Sequence, residues 1–527
     1  MEEVEHMFNG EESSSEEDDS ETDDDDVRYP LPAHRMPVHD DENIGLQPKQ
    51  PQSDRRPLGA TPQRVTSGSD EAGEARAPFQ PLTPITERTE RTDSSRWTLD
   101  APSEDAMPYG GLRAPPTSLA IPNPCSPADP DIVSTLLSNL ARPVTQLPGY
   151  VDEAHESHYL STLRARLDAR SRRSSVGNGC DVQVADMQLS VYSRLGEGGF
   201  GSVFLAQDMN ESVPLAGQVT ASYADVDQDD IDELERRQML ALKIESPPNP
   251  WEFYILDQLR HRLPDQLQAS IVGARRFVSC ANESLLLLEY ASMGTLLELV
   301  NHAAEAGVSS VLGQGGGVEE VLAMFFVNEL CRIVQGMHEA GLIHGDLKID
   351  NCMIRADDVD EWTSTYAADG SGGWAAKGVT LIDFGRAIDM CCYPPDQRFL
   401  ADWQPGAQDC VEMREMRPWT YQADYYGLAS IAHCLLFGKY MDTTCYVNDD
   451  GLKTYKIQQS LRRYWQTDLW TRFFHLMLNS THYPSVGPQL TELRAEMDAW
   501  LTAHSFHAGK NLKGLLKKVE IWALRRV

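Results

Sequence analysis

The chain has 527 residues, enough for two or three domains, and carries a formal charge of −34 from 80 acidic against 46 basic side chains. That balance argues against generic binding to nucleic-acid backbones or anionic membranes. No run of about 18 apolar residues offers a membrane span, and the acidic N-terminus lacks the basic start and apolar core of a secretory signal. The ten cysteines are scattered with no CxxC pair, so free thiols in a reducing, intracellular setting are expected.

Residues 1–30 hold fourteen Asp or Glu against Arg28 alone, a balance of −13. Such a run cannot bury enough apolar surface to offset its ordering entropy. The chain then stays rich in Pro, Ser, Thr, Asp and Arg with no sustained apolar period, so 1–129 reads as a disordered tail. Two uses fit its acidic start: solvation, and docking of basic partners. Thr61-Pro62, Thr83-Pro84 and Ser126-Pro127 are dipeptides a proline-directed kinase modifies, though each is also common in plain linkers. The more apolar segment from Pro78 to Thr89 reads as a short docking or phosphorylation motif.

From Asp131 the pattern changes. Ile132, Leu136, Leu137, Leu140 and Val144 begin an amphipathic stretch, and Tyr159, Leu160, Leu163 and Leu167 continue it at helical spacing. Residues 130–188 therefore read as an extension packed on the domain that follows, with the basic run Arg164 to Arg173 as a surface linker. Leu189 to Leu195 alternates like a strand and runs into Gly196-Glu197-Gly198-Gly199-Phe200-Gly201, then Val203-Phe204-Leu205-Ala206. In dinucleotide folds a GxGxxG opens a helix. Here a β-branched and aromatic run follows, so the loop joins two antiparallel strands as a flap over phosphates. Gly196, Gly198 and Gly201 let its backbone come close to a nucleotide.

Residues 208–238 are a polar, acidic insertion. Met239 to Ile244 is then a short buried strand with one charge, Lys243. A lysine there ordinarily snorkels outward. It follows a glycine flap, however, and Glu252 lies on the next predicted helix (Trp251 to Leu259), so a Lys243–Glu252 ion pair is the better reading. Ser284 to Ala291 reads as a central strand leaving into a hinge, and residues 318–340 as a long apolar helix with Gly341 as its C-cap. Ile343-His344-Gly345-Asp346-Leu347-Lys348-Ile349-Asp350-Asn351 follows at once, answered by Leu381-Ile382-Asp383-Phe384-Gly385. Between them, 356–377 is an acidic, Gly-rich insertion; helices then fill 424–440, 468–478 and 489–504. The last stretch puts Leu512, Leu515, Leu516, Val519 and Trp522 on one face, expected to be a packed terminal helix rather than a basic membrane anchor.

Two loops in this order, each after an apolar run, resemble the catalytic loop and metal-binding triplet of a protein kinase. The resemblance implies an α+β, bilobal fold, with a small antiparallel β lobe (189–291) carrying one main helix and a larger helical lobe (292–527). Asp346 would orient and deprotonate a substrate hydroxyl, and Lys348 would neutralise the phosphoryl group in flight. Asn351 and Asp383 would hold Mg²⁺ on ATP, while Lys243, paired with Glu252, would meet the α- and β-phosphates. Gly196, Gly198, Gly199, Gly201, Val203 and Ala241 complete the nucleotide site. Leu288 would be the gatekeeper, with backbone groups of Glu289 and Ala291 on adenine.

More narrowly, His344-Gly345-Asp346, Asn249 to Tyr254, Gly294 to Leu297, Phe384 to Met390 and Pro418 to Gly427 resemble the Bub-type mitotic checkpoint serine/threonine kinases over about residues 130–527. What this implies is a nuclear enzyme at kinetochores that phosphorylates a core histone tail at centromeres and supports the checkpoint delaying anaphase. Implied partners are a propeller adaptor that brings it to kinetochores and the activator of the anaphase-promoting complex, with no direct nucleic-acid or membrane ligand. Family members carry a helical-repeat domain and an adaptor-binding motif upstream; with neither visible here, the chain is expected to be either a C-terminal portion or one with a mispredicted start. Gly345 replaces the arginine that reads a phosphorylated activation loop, so activation is expected to rest on packing of that loop and the extension. Glu412 in Cys410-Val411-Glu412 is the expected anchor of that loop's end, and the role of Asp424 is open. The alternative is a kinase-shaped scaffold that mainly docks checkpoint partners. The complete set Lys243, Glu252, Asp346, Lys348, Asn351 and Asp383 favours catalysis, because a scaffold is free to lose it.

Overall fold

The computed structural model describes residues 119–171, 179–198, 201–209, 239–310, 316–504 and 511–526. All of these lie in the unit Pro78–Val527. The tail motifs at Thr61, Thr83 and Pro78 to Thr89, residue Gly199, and the 210–238 part of the insertion lie outside the described residues.

The small lobe is a seven-stranded sheet: β1 (Tyr150–Asp152), β2 (Cys180–Val184), β3 (Met187–Glu197), β4 (Gly201–Asp208), β5 (Met239–Glu245), β6 (Ala274–Ser279) and β7 (Ser284–Glu289), in the order β1-β6-β7-β5-β4-β3-β2. Strands β2 to β7 pair antiparallel with their neighbours, and β1 joins β6 in parallel. Alternation sorts the faces. Leu189, Val191, Phe204, Leu240, Leu242 and Ile244 line one core, and Phe277, Leu286 and Leu288 turn to the other.

The extension wraps this sheet. Helix α1 (Pro130–Ser138) starts at an Asp129 N-cap and buries Val133 and Leu136. These join the core of helix α3 (Trp251–Arg262), while α2 (Tyr159–Ser171) places Leu163 on the opposite face of the sheet. Residues 119–129, assigned to the tail on composition, instead lie in the folded unit. Leu119 N–H donates to Cys392 O (3.0 Å) and Cys125 N–H to Leu400 O (2.9 Å). Asn123 Nδ2 donates to Arg398 O (2.8 Å) and its Oδ1 accepts from Leu400 N–H (2.9 Å). A strap ordered by backbone pairing with a segment about 275 residues away leaves no periodicity for composition to detect.

The helical lobe forms around α5 (Glu320–Glu339), which is apolar on nearly every side and therefore central. Before it, α4 (Leu296–Asn301) opens on a Thr295–Glu298 capping box. After it come β8 (Leu342–Ile343), the hairpin β9 (Cys352–Ala356) with β10 (Lys377–Leu381), and β11 (Ile388–Asp389), which pairs with β8. Then follow α6 (Val411–Arg414), α7 (Gln422–Phe437), the hairpin β12 (Thr443–Val447) with β13 (Lys453–Ile457), α8 (Thr467–Leu478), α9 (Gly487–His504) and α10 (Leu512–Leu524). The Gly-rich insertion between β9 and β10 is folded: Trp374 and Tyr366 are buried, and Lys377 and Lys513 lie on the Trp362 ring at 4.8 and 5.1 Å. Helix α10 buries Leu512, Leu515, Leu516, Val519 and Trp522, the packed terminal helix expected. Among the described residues no helix is long and apolar enough to cross a membrane.

Candidate active site

The cleft between the lobes collects the predicted residues. Strand alternation puts Ala241, Lys243 and Glu245 of β5 on the half-buried face, opposite Leu240, Leu242 and Ile244, and Val203 is the cross-strand partner of Lys243. The glycine turn closes with Gly198 N–H donating to Gly201 O (3.0 Å). Side-chain space around Gly196 and Gly198 is open, whereas a Cβ on Gly201 would sit 2.1 Å from Ile244 O. Gly201 is thus demanded by close strand packing as well. At the hinge Leu288 is buried against Ala241, its cross-strand partner. Glu289 N–H donates to Gly273 O (2.9 Å), so the backbone group it would offer adenine is its carbonyl and not its N–H. Ala291 follows two residues on, half-buried and outside any strand.

Lys243 is the hub. Its Nζ donates to Glu252 Oε2 (2.7 Å) and Asp383 Oδ1 (2.8 Å), and Glu245 lies 3.7 Å away. Burial opposes its charge, but Asp383, Glu252 and Glu245 together hold its pKa well above the usual lysine range. The same lysine pulls the Asp383 carboxyl down to about 2 against burial, so it is ionised at neutral pH. Burial pushes Glu245 up to about 7, with Lys243 drawing it part of the way back. Glu252 uses its second oxygen to accept from Phe384 N–H (3.0 Å), which joins helix α3 to the Asp383 turn.

Four more contacts hold α3 in this position, and the sequence reading assigned them no role. Trp251 Nε1 donates to Ala387 O (2.7 Å) and Tyr254 OH to Asp389 Oδ2 (2.8 Å). Arg262 grips both oxygens of the fully buried Asp389, each at 2.8 Å. Trp251, Tyr254 and Asp389 stood within the quoted motifs. Arg262, a cation in the last turn of an apolar helix, was the visible signal.

The catalytic loop is set by an αL turn and a buried carboxylate. Gly345 has φ +77, and a Cβ there would lie 2.4 Å from Arg386 O, so no arginine fits at this position. Asp424, fully buried, accepts from His344 N–H (2.8 Å), Gly345 N–H (3.0 Å) and His338 Nε2 (2.9 Å). That answers its open role: it clamps the loop backbone. His344 Nε2 donates to Ile382 O (3.1 Å), which ties the loop to the Asp383 strand. Lys348 Nζ donates to Asp346 Oδ2 (3.0 Å), and Asn351 Nδ2 donates to Asp346 O (2.9 Å). Burial raises the Asp346 carboxyl, and Lys348 beside it lowers it part of the way. Glu412 is buried at the end of the activation segment, 3.6 Å from the Arg417 guanidinium.

The donor set suits Mg²⁺: with its amide nitrogen engaged by Asp346, Asn351 would offer its oxygen, and Asp383 offers an ionised carboxylate. Hard oxygen donors of this kind leave the remaining positions to phosphate and water.

Comparison with known proteins agrees with this geometry. The family model described as protein kinase domain matches residues 189–472. The spindle assembly checkpoint serine/threonine-protein kinase bub1 of Schizosaccharomyces pombe is 37% identical over 381 residues, covering 69% of this chain and 35% of that protein. The mitotic checkpoint serine/threonine-protein kinase BUB1 of Arabidopsis thaliana is 30% identical over 396 residues, covering 75% and 68%. The chain spans about a third of the length of the fission-yeast relative and of its Saccharomyces cerevisiae counterpart. The crystal structure of the BubR1 kinase domain superposes with a TM-score of 0.56 at 23% identity, covering 76% of this chain and 98% of that one, which shows the shared fold.

Proposed function

Since the chain belongs to the protein kinase family and, within it, to the Bub1-type spindle checkpoint kinases, we propose that it transfers the γ-phosphate of ATP to Ser or Thr hydroxyls of proteins. The observation that carries the proposal is the single lysine Lys243 bonded at once to Glu252 and Asp383, with Asp346, Lys348 and Asn351 mutually bonded in the facing loop. A scaffold has no need to maintain six charged or polar groups at hydrogen-bond distance in a half-buried cleft.

Lys243 would hold the α- and β-phosphates, and Glu252 keeps its ammonium aimed at them. Asn351 and Asp383 would hold Mg²⁺, which would supply positive charge to offset that of the phosphates. Asp346 accepts the proton of the substrate hydroxyl as it attacks, and Lys348, 3.0 Å from Asp346, steadies the transferred group. These groups stand ready without a phosphorylated activation loop: Gly345 cannot read one, and Asp389 and the 119–125 strap fix the segment by packing. The substrate we propose is a core histone tail at centromeres, with the enzyme acting at kinetochores in the nucleus. The propeller adaptor and the activator of the anaphase-promoting complex are its proposed partners.

Incubation of the chain with ATP–Mg²⁺ and nucleosomes tests the reading. Phosphate on a histone Ser or Thr, absent with Asp383→Asn, supports it. A folded chain that binds ATP–Mg²⁺ yet labels no protein would favour the scaffold.

A further inference from the structure

We propose that Arg164, on helix α2 of the N-terminal extension, is a positioning residue for the nucleotide phosphates; the inference rests on the kinase reading above. The fork of Arg164 reaches across the sheet to both limbs of the glycine turn. Its Nε and Nη2 donate to Ser202 Oγ (3.1 and 2.9 Å), and Nη2 lies 3.0 Å from Glu197 Oε1. Glu197 and Ser202 are cross-strand partners, the last rung before the turn, and Ser202 is 1% exposed. One guanidinium therefore joins the rising limb, the descending limb and a helix outside the sheet.

Helix α2 can bear on the turn because it is itself held. The buried carboxylate of Glu283, in the turn between β6 and β7, accepts from Ser157 Oγ (2.5 Å), Tyr159 N–H (2.6 Å) and Leu160 N–H (3.3 Å) at the start of the helix. Leu163, the residue before Arg164, is fully buried in the sheet core. Arg164 is thus a rigid arm rather than a loose surface cation.

The electrostatic consequence is specific. Glu197 sits in a turn read as covering a polyanion, where an unpaired carboxylate would repel the phosphates. Arg164 on one oxygen and Arg194 on the other (2.7 Å) hold that carboxylate on the helix side and offset its charge. Removing Arg164 would leave Glu197 with Arg194 alone, half of its charge compensation gone, and would unfasten Ser202 from helix α2. The effect falls on phosphates and not on adenine, because the hinge lies at the other end of the strands: Ser202 pairs with Ile244 and Ile244 with Leu285, whereas Leu240 pairs with Glu289.

The test is calorimetric titration of the full chain with a non-hydrolysable ATP analogue plus Mg²⁺ and, separately, with adenosine. Arg164→Ala should weaken the analogue about tenfold, the scale of a charge-assisted hydrogen bond. Adenosine affinity should stay within about twofold by the same scale. KM for ATP should rise with kcat little changed, and Arg164→Lys should restore part of the loss. Equal weakening of both ligands with a lowered Tm would make Arg164 a structural residue and overturn the inference alone, as would no change in either. Failure of the unsubstituted chain to bind the analogue would overturn the kinase reading and this inference with it.

Discussion

Gly345 is the position where this loop departs most sharply from the common kinase pattern, and its geometry explains the departure. A side chain there meets Arg386 O at 2.4 Å in a backbone already at φ +77. Gly345→Arg should therefore lower stability by about 2–4 kcal/mol rather than restore phosphate control, which thermal unfolding can measure. Glu245 makes a pH prediction. Its folded pKa of about 7 lies above its ordinary value of 4.5, so ionising it in the folded chain costs stability as pH rises through 7. Glu245→Gln should raise Tm at pH 8 and change it little at pH 5; a gain of the same size at both would refute the assignment. For Asp346, Lys348 lowers a carboxyl that burial raises, so Lys348→Met should move the acid limb of the residual kcat profile to higher pH. An unmoved limb would show that Asp346 is not the titrating group. The charged set was legible at this scale because residue type and spacing suffice for it. The role of Asp424 was not, since two of its three partners are backbone N–H groups about 80 residues away, which no side-chain pattern records.

Helix α3 acts as a unit whose position decides whether Lys243 has its partner. Its tie to Asp389 is a buried, two-pronged ion pair, and breaking such a pair by removing one partner costs about 3–5 kcal/mol, much of it from the charge left behind. Asp389→Ala should therefore destabilise the chain and lower kcat more than a surface change of equal size. Tyr254→Phe, which removes one hydrogen bond to the same carboxylate, should cost only about 1–2 kcal/mol. Equal losses for the two would argue against the ion pair as the main tie. Helices and central strands were readable from period and burial: α5, α7, α8, α9 and α10 lie within a few residues of their expected spans. The hairpin β12–β13 was not, because its first strand is largely exposed and carries no apolar alternation. The 119–125 strap escaped for a related reason, its order coming from long-range backbone pairing.

On the scale of the whole molecule, the extension does three separable things. The strap at 119–125 lies along the activation segment, α1 and β1 enlarge the core behind α3, and α2 reaches the glycine turn. Each joins a part of the cleft that many kinases fix by other means, which fits a loop without the phosphate-reading arginine. The most direct measurement of the central claim is phosphate transfer from ATP–Mg²⁺ to nucleosomes by the full chain, beside Asp383→Asn and Lys243→Ala. The account predicts Ser or Thr labelling of a histone by the wild type and its loss in both variants, with folding preserved. Labelling that survives both substitutions, or none from a folded wild type that binds ATP–Mg²⁺, would contradict it.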